Sequence, residues 1–243
     1  MYSTNTHHCY GNVAVPSGLR PGGVFSKDTA VVRTTFLIDG FNLYHSLRNA
    51  ESDTGIHPMR WLDLRSLCND YLYIIGQHTH EMAILETIHF FSATPTHYAK
   101  ETQDRHSLYM RCLASTGIKM HLGRFKRKDL RCSICNGKLS RYEEKETDVA
   151  IATELFSICH TDAADTIVLV TGDTDLAPTV RVCKRLFPSK LICFAFPYKR
   201  YNAELAHIAI ESFKISTQKY ISNQFPDPLL LPDGSSVSKP ANW

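Results

Sequence analysis

The sequence contains no apolar run approaching the ~20 residues that a membrane-spanning helix needs, which argues against a membrane protein. Its first residues have no apolar stretch of the secretory type, so the expected location is cytoplasmic. An excess of one charge is also missing. The formal net charge is only +3, so overall charge does not by itself declare a nucleic-acid binder. There is no Gly-rich phosphate cradle, no Ser/His/Asp or Cys/His set with a supporting motif, and no internal repeat. The eight cysteines (Cys9, Cys68, Cys112, Cys132, Cys135, Cys159, Cys183 and Cys193) come without an export signal. They read as thiols of a reducing compartment rather than a disulfide framework.

What is present suffices for one well-buried domain: 243 residues, of which 43% are hydrophobic. Short β-branched or apolar runs at 34–38 (TTFLI), 82–91, 118–122, 166–170 (TIVLV) and 191–196 read as strands. Residues 212–215 would close the sheet. Helical patterning occupies the stretches between them, from 41 onward and at 61–73, 95–114, 144–159, 176–186 and 203–210. Such alternation predicts βαβ units, hence an α/β fold with a mostly parallel sheet covered on both faces. The expected organisation is a Gly/Pro/Ser-rich N-terminal arm over 1–29, one domain over 30–216 and an irregular Pro-rich tail over 217–243. Within the domain, 123–142 reads as a Cys-rich and basic insertion.

Carboxylates recur where a parallel sheet places its site, beyond the C-terminal ends of its strands. Asp39 directly follows the first strand, Asp173 and Asp175 follow the strongest one in TGDTDLAP, and Asp148 lies in EEKETDVAIA. A single acid in such a place is as readily a helix cap. Several in one cleft repel one another unless cations neutralise them, and hard oxygen ligands suit Mg²⁺ or Mn²⁺. Glu144 and Asp148, four apart on a predicted helix, would share a face. Lys145 beside them reads either as a phosphate or carboxylate ligand or as a solvated lysine. Asn42 reads as a cap or as a ligand to a metal-held water or a phosphate oxygen.

Two further features stand out. The segment GRFKRKDLR carries Arg124, Lys126, Arg127, Lys128 and Arg131 around Phe125, a strip suited to phosphate contact and base stacking. Cys132 and Cys135 have the spacing of a zinc knuckle. They supply only half a site, with His121 and Cys112 the nearest further candidates for a structural Zn²⁺. Two free thiols on a turn are the alternative.

Taken together in order, FLIDGFNLYHSL (36–47), EEKETDVAIATEL (143–155) and IVLVTGDTDLAPTVR (167–181) resemble the NYN domain family of the PIN-like ribonucleases. The likeness spans roughly 34–215. It implies a three-layer α/β/α sandwich of PIN-like, Rossmann-like type. It also implies acidic metal ligands at Asp39, Asp148, Asp173 and Asp175, with Asn42 as the family's first-block Asn. Thr174 and Leu176 stand where the family often has Ser and Phe. The implied activity is Mg²⁺- or Mn²⁺-dependent hydrolysis of RNA, single-stranded or structured. The other readings are a nucleic-acid-binding regulatory module with little turnover, and a haloacid-dehalogenase-like phosphatase. The phosphatase reading meets Phe41 and Ala177 where it needs acids. Whether the chain forms a homo-oligomer stays open.

Overall fold

The run VVRTTFLID forms strand β1 (Val31–Asp39), and its alternation explains the layers of the fold. Phe36 and Ile38 enter one hydrophobic core while Leu37 enters a second core on the other face, as the two-residue period of a strand requires. Fully burying each such side chain stabilises the fold by about 1.5–3 kcal/mol. The computed structural model describes residues 30–131 and 134–241; the expected N-terminal arm, Cys9 and Cys132 lie outside them.

After β1 come α1 (Gly40–Thr54), α2 (Leu64–Asn69), α3 (Leu72–Thr79) and β2 (Met82–Thr94). Then follow α4 (Lys100–Ser115), β3 (Lys119–Arg131), β4 (Lys138–Lys145), α5 (Thr147–His160) and β5 (Thr166–Val170). A 3-10 turn (Thr174–Leu176) leads into α6 (Ala177–Leu186), β6 (Leu191–Phe196), α7 (Ala203–Ile208) and β7 (Glu211–Lys214). The chain continues through α8 (Thr217–Ser222), β8 (Leu229–Leu230) and β9 (Ser236–Val237).

The seven-stranded sheet has the order β4-β3-β2-β1-β5-β6-β7 and is parallel except for β4, which runs antiparallel to β3. The fold is thus the expected α/β sandwich. From β1 the chain builds outward on one side, then returns to lay β5 on the other. The crevice beyond the C-terminal ends of β1 and β5 is therefore a topological switch point, where open α/β sheets bind ligands. No described helix is long and apolar enough to cross a membrane.

Three expectations need correction. The basic segment is not a separate insertion: its residues pair across β3 and β4 from Arg124↔Lys145 to Arg131↔Lys138, extending the sheet edge as a hairpin. The helix placed at 144–159 starts only at Thr147, because residues 138–145 are drawn into β4. Nor is the segment from 217 an irregular tail. Tyr220, Phe225, Leu231 and Val237 are buried in the core beside α1. The Tyr220 hydroxyl shares a 2.9 Å hydrogen bond with Ser46 Oγ, and Phe225 packs edge-on against Trp61 at 5.7 Å between ring centroids.

Candidate active site

Asp39 is the last residue of β1 and the N-cap of α1, and only 5% of its surface is exposed. Its Oδ1 accepts from the Asn42 backbone N–H at 3.0 Å, and its Oδ2 accepts from the Thr171 hydroxyl at 2.9 Å. The same Thr171 oxygen accepts from the Asp173 backbone N–H at 3.1 Å. Across the crevice, the Gly172 N–H donates to Asn42 Oδ1 at 3.2 Å. The first strand and the strand that follows the switch are thereby clasped at their ends. Thr171, which the sequence reading passed over, is the hydroxyl that joins them; its signal was its place one residue after TIVLV.

Two glycines permit this close approach. A Cβ on Gly172 would overlap the Arg200 carbonyl, and one on Gly40 would meet the Phe91 carbonyl oxygen at 2.5 Å. Neither glycine has a positive φ, so space rather than backbone conformation requires them.

Asp173 caps the 3-10 turn, accepting the Asp175 N–H at 3.0 Å, and Asp175 is exposed in its middle. Glu144 reaches the site from β4, not from a helix. It approaches Asp148 because Glu146 takes φ 83°, a left-handed turn that costs roughly 1–2 kcal/mol in a residue with a Cβ. Arg124 holds Glu146 through Nε at 3.1 Å and Nη2 at 2.8 Å. The Thr147 hydroxyl donates to Glu144.

These carboxylates feel one another. Burial, helped by Asp148 and Asp173, pushes Asp39 up to about 6. Burial, helped by Asp39 and Asp148, pushes Glu144 up to about 7. Asp148 is raised by burial and by Asp173 and Asp175. Among the described residues no lysine or arginine forms an ion pair with Asp39, Glu144, Asp148 or Asp173. Lys145 pairs instead with Glu143 at 3.1 Å. The arrangement is a set of oxygen donors with uncompensated negative charge, which fits a hard divalent cation.

Beside this cleft lies a cavity of about 460 Å³ lined by Phe41, Tyr44, Arg48, Tyr98, Arg105 and Phe125. Phe125 packs edge-on against Phe41 at 5.5 Å and against His97 at 4.5 Å, and His97 stacks on Tyr142 at 4.2 Å. The basic strip is more self-neutralised than its sequence implied. Arg124 is bound to Glu146, Arg127 lies 2.9 Å from Asp129, and Lys128 lies 3.1 Å from Glu143. Lys126 and Arg131 have no ion pair among the described residues.

The described members of the expected zinc set, His121, Cys112 and Cys135, do not come together. His121 lies near the start of β3 and Cys135 beyond its end, roughly 30 Å apart at ~3.3 Å per residue. Cys112 is buried in the core of the opposite face, and Cys135 is an exposed free thiol. His121 instead meets His89 and Glu154; the sequence reading named neither.

The NYN domain family model matches residues 33–209. No curated protein matches the sequence. Among solved structures, a protein of unknown function from Vibrio parahaemolyticus is similar at 14% identity with a TM-score of 0.48, over 76% of this chain and 93% of its own. MurG of Acinetobacter baumannii is similar at 11% identity with a TM-score of 0.32, over 81% of this chain and 44% of its own.

Proposed function

Because the chain belongs to the NYN domain family of PIN-like nucleases, and so acts on nucleic acid, we propose that it is a divalent-metal-dependent ribonuclease whose site is the carboxylate cluster at the β1–β5 switch point. The observation that carries this reading is the electrostatic state of the cluster: acids raised by burial and by one another, with no basic partner among the described residues. Asp39, Asp148, Asp173 and Asp175, with Glu144, would hold Mg²⁺ or Mn²⁺. A bound ion would supply Lewis acidity and a water of lowered pKa.

The chain's own groups do the rest. Thr171 and the Asn42 backbone fix both oxygens of Asp39, so this ligand is oriented before any cation arrives. The Asn42 side chain ties the Asp173 loop to α1, holding the acids of the two strands in register. The aromatic cavity offers stacking surface for an unpaired base, with Arg48 and Arg105 at its wall for phosphates. Lys126 and Arg131, on opposite faces of the hairpin, offer further phosphate contacts beyond the cavity.

Purified protein should cleave end-labelled single-stranded RNA with Mn²⁺ and stop when chelator is added, while DNA of the same sequence is cut more slowly. Tight RNA binding with no cleavage under any divalent ion would replace this reading by a regulatory binding module. Equal or faster cutting of DNA would overturn the assignment to RNA.

A further inference from the structure

Away from the carboxylates, three side chains from three elements converge. His89 lies on β2, His121 on β3 and Glu154 on α5. The parallel register sets His121 beside Phe91, two residues along the same strand face from His89. The three rings stack: His89 on His121 at 5.1 Å and His121 on Phe91 at 4.4 Å. Both imidazoles are thereby fixed in orientation. His89 Nδ1 lies 3.0 Å from His121 Nε2 and 3.3 Å from Glu154 Oε1, and the three donor atoms lie within 4.8 Å of one another.

Hydrogen bonding alone serves this triangle poorly. If His89 Nδ1 carries a proton, it faces two acceptors, a lone pair on His121 and a carboxylate oxygen. If His121 carries the proton instead, the lone pair of His89 Nδ1 faces the carboxylate across 3.3 Å. Each arrangement leaves one acceptor without a donor of its own. A dication about 2.0–2.1 Å from each atom would use all three at once. Burial also keeps His89 low, at about 4, so the imidazole presents a lone pair and not a charge.

We propose that His89, His121 and Glu154 form a second metal site, for a zinc-type transition-metal dication, distinct from the oxygen-donor cleft. Imidazole nitrogens select zinc, cobalt or nickel over magnesium. The side chain of Glu154 is 27% exposed, which leaves a fourth position open to water. Glu154 lies six residues after Asp148 on α5, roughly 9 Å along the helix axis. The ion would clamp the middle of α5 to β2 and β3, and so steady the helix whose first turn carries Asp148. This site does not depend on the nuclease reading.

The test uses the full chain, stripped with chelator and titrated with Co²⁺ in excess Mg²⁺. One equivalent of Co²⁺ should bind with a visible d–d band of low-symmetry nitrogen and oxygen ligation, and Zn²⁺ should displace it. Glu154→Gln, which keeps shape at a part-exposed position, should weaken Co²⁺ at least about tenfold. His89→Ala should abolish the band, with circular dichroism confirming that the variant folds. Asp173→Asn should leave the band unchanged. Absence of a band, a band insensitive to Glu154→Gln, or one lost with Asp173→Asn would each overturn the proposal.

Discussion

The two ends of the β1–β5 strand pair hold acids in opposite circumstances. At the N-terminal end, Arg33 grips Asp165 with Nη2 at 2.8 Å and Nε at 3.0 Å. Lys190 pairs with Asp162 and donates to the Ala164 carbonyl at 2.7 Å. Arg33 holds Asp165, and Lys190 holds Asp162, below the usual carboxylate range. At the C-terminal end, burial lifts Asp39 to about 6 and Glu144 to about 7, with no cation paired to either among the described residues. The same sheet can therefore neutralise its acids, and does so where they serve the fold. Where it leaves them unneutralised, the acids cost stability, and a charge from outside the chain would remove that cost.

The largest effect expected from this contrast is on cleavage. Asp39→Asn should lower RNA cleavage roughly 10²–10³-fold, the loss expected when an interaction worth several kcal/mol in the transition state disappears. Asp165→Asn should leave cleavage within about twofold and instead cost on the order of 1 kcal/mol of stability, as a part-exposed ion pair does. Single-turnover rates and urea unfolding of the two variants measure this directly. Comparable loss of cleavage in both would erase the distinction between the ends.

The next effect is on stability as a function of pH in the chelated protein. Asp39 has a folded value of about 6 against an ordinary value of 3.8. Its protonated form is thus favoured by folding: the contribution is fully present below about 4 and is lost as pH rises through about 6. The difference is on the order of 2–3 kcal/mol. Asp162 and Asp165 run the other way, stabilising above the ordinary carboxylate value and losing that contribution as pH falls. Buried His89, held low at about 4, works the other way over the same interval, so the readout is the difference between variants: the stability lead of the unsubstituted protein over Asp39→Asn in chelator should shrink by that amount between pH 4 and 8. Mn²⁺ at a hundred times its Kd should return about 2.7 kcal/mol to the unsubstituted protein. A gap between the two proteins that stays constant from pH 4 to 8 in chelator would contradict the raised Asp39.

Much of this was legible in the sequence because period and punctuation are local. The runs at 34–38 and 166–170 fall inside β1 and β5, and the acid after each strand end falls in the switch-point crevice. What was hidden depended on distant partners. EEKETDVAIA has a helical spacing of acids, yet residues 138–145 pair with β3, so Glu144 joins a strand and reaches Asp148 around the left-handed Glu146. The prolines after 217 suggested an irregular tail, but Tyr220 is held by a hydrogen bond to Ser46, 174 positions earlier. His89, His121 and Glu154 carry no joint spacing signal; strand register and the placement of α5 bring them together.

The smallest effect expected separates the hairpin from the cleft. The sequence offers Arg124, Lys126, Arg127, Lys128 and Arg131 as equivalent cations, whereas the structure divides them. Arg124, Arg127 and Lys128 already face Glu146, Asp129 and Glu143, and a cation matched to a carboxylate releases fewer counterions when a phosphate arrives. Lys126 and Arg131 are the better phosphate ligands on this ground. Each of Lys126→Ala and Arg131→Ala should therefore flatten the slope of log Kd against log salt by about 0.7, the increment for one phosphate on a single strand. Arg127→Ala should change it by less than half as much. The cleavage rate at saturating RNA should remain within about twofold for all three, since none of them touches the carboxylates. Arg124→Ala should behave differently: it releases Glu146, whose left-handed turn delivers Glu144 to Asp148, so the rate at saturation should fall while the salt slope barely moves. Binding titrations at four salt concentrations, paired with single-turnover rates, distinguish these outcomes. Identical slopes across all the variants would reduce the hairpin to solvated surface and leave substrate binding to the aromatic cavity.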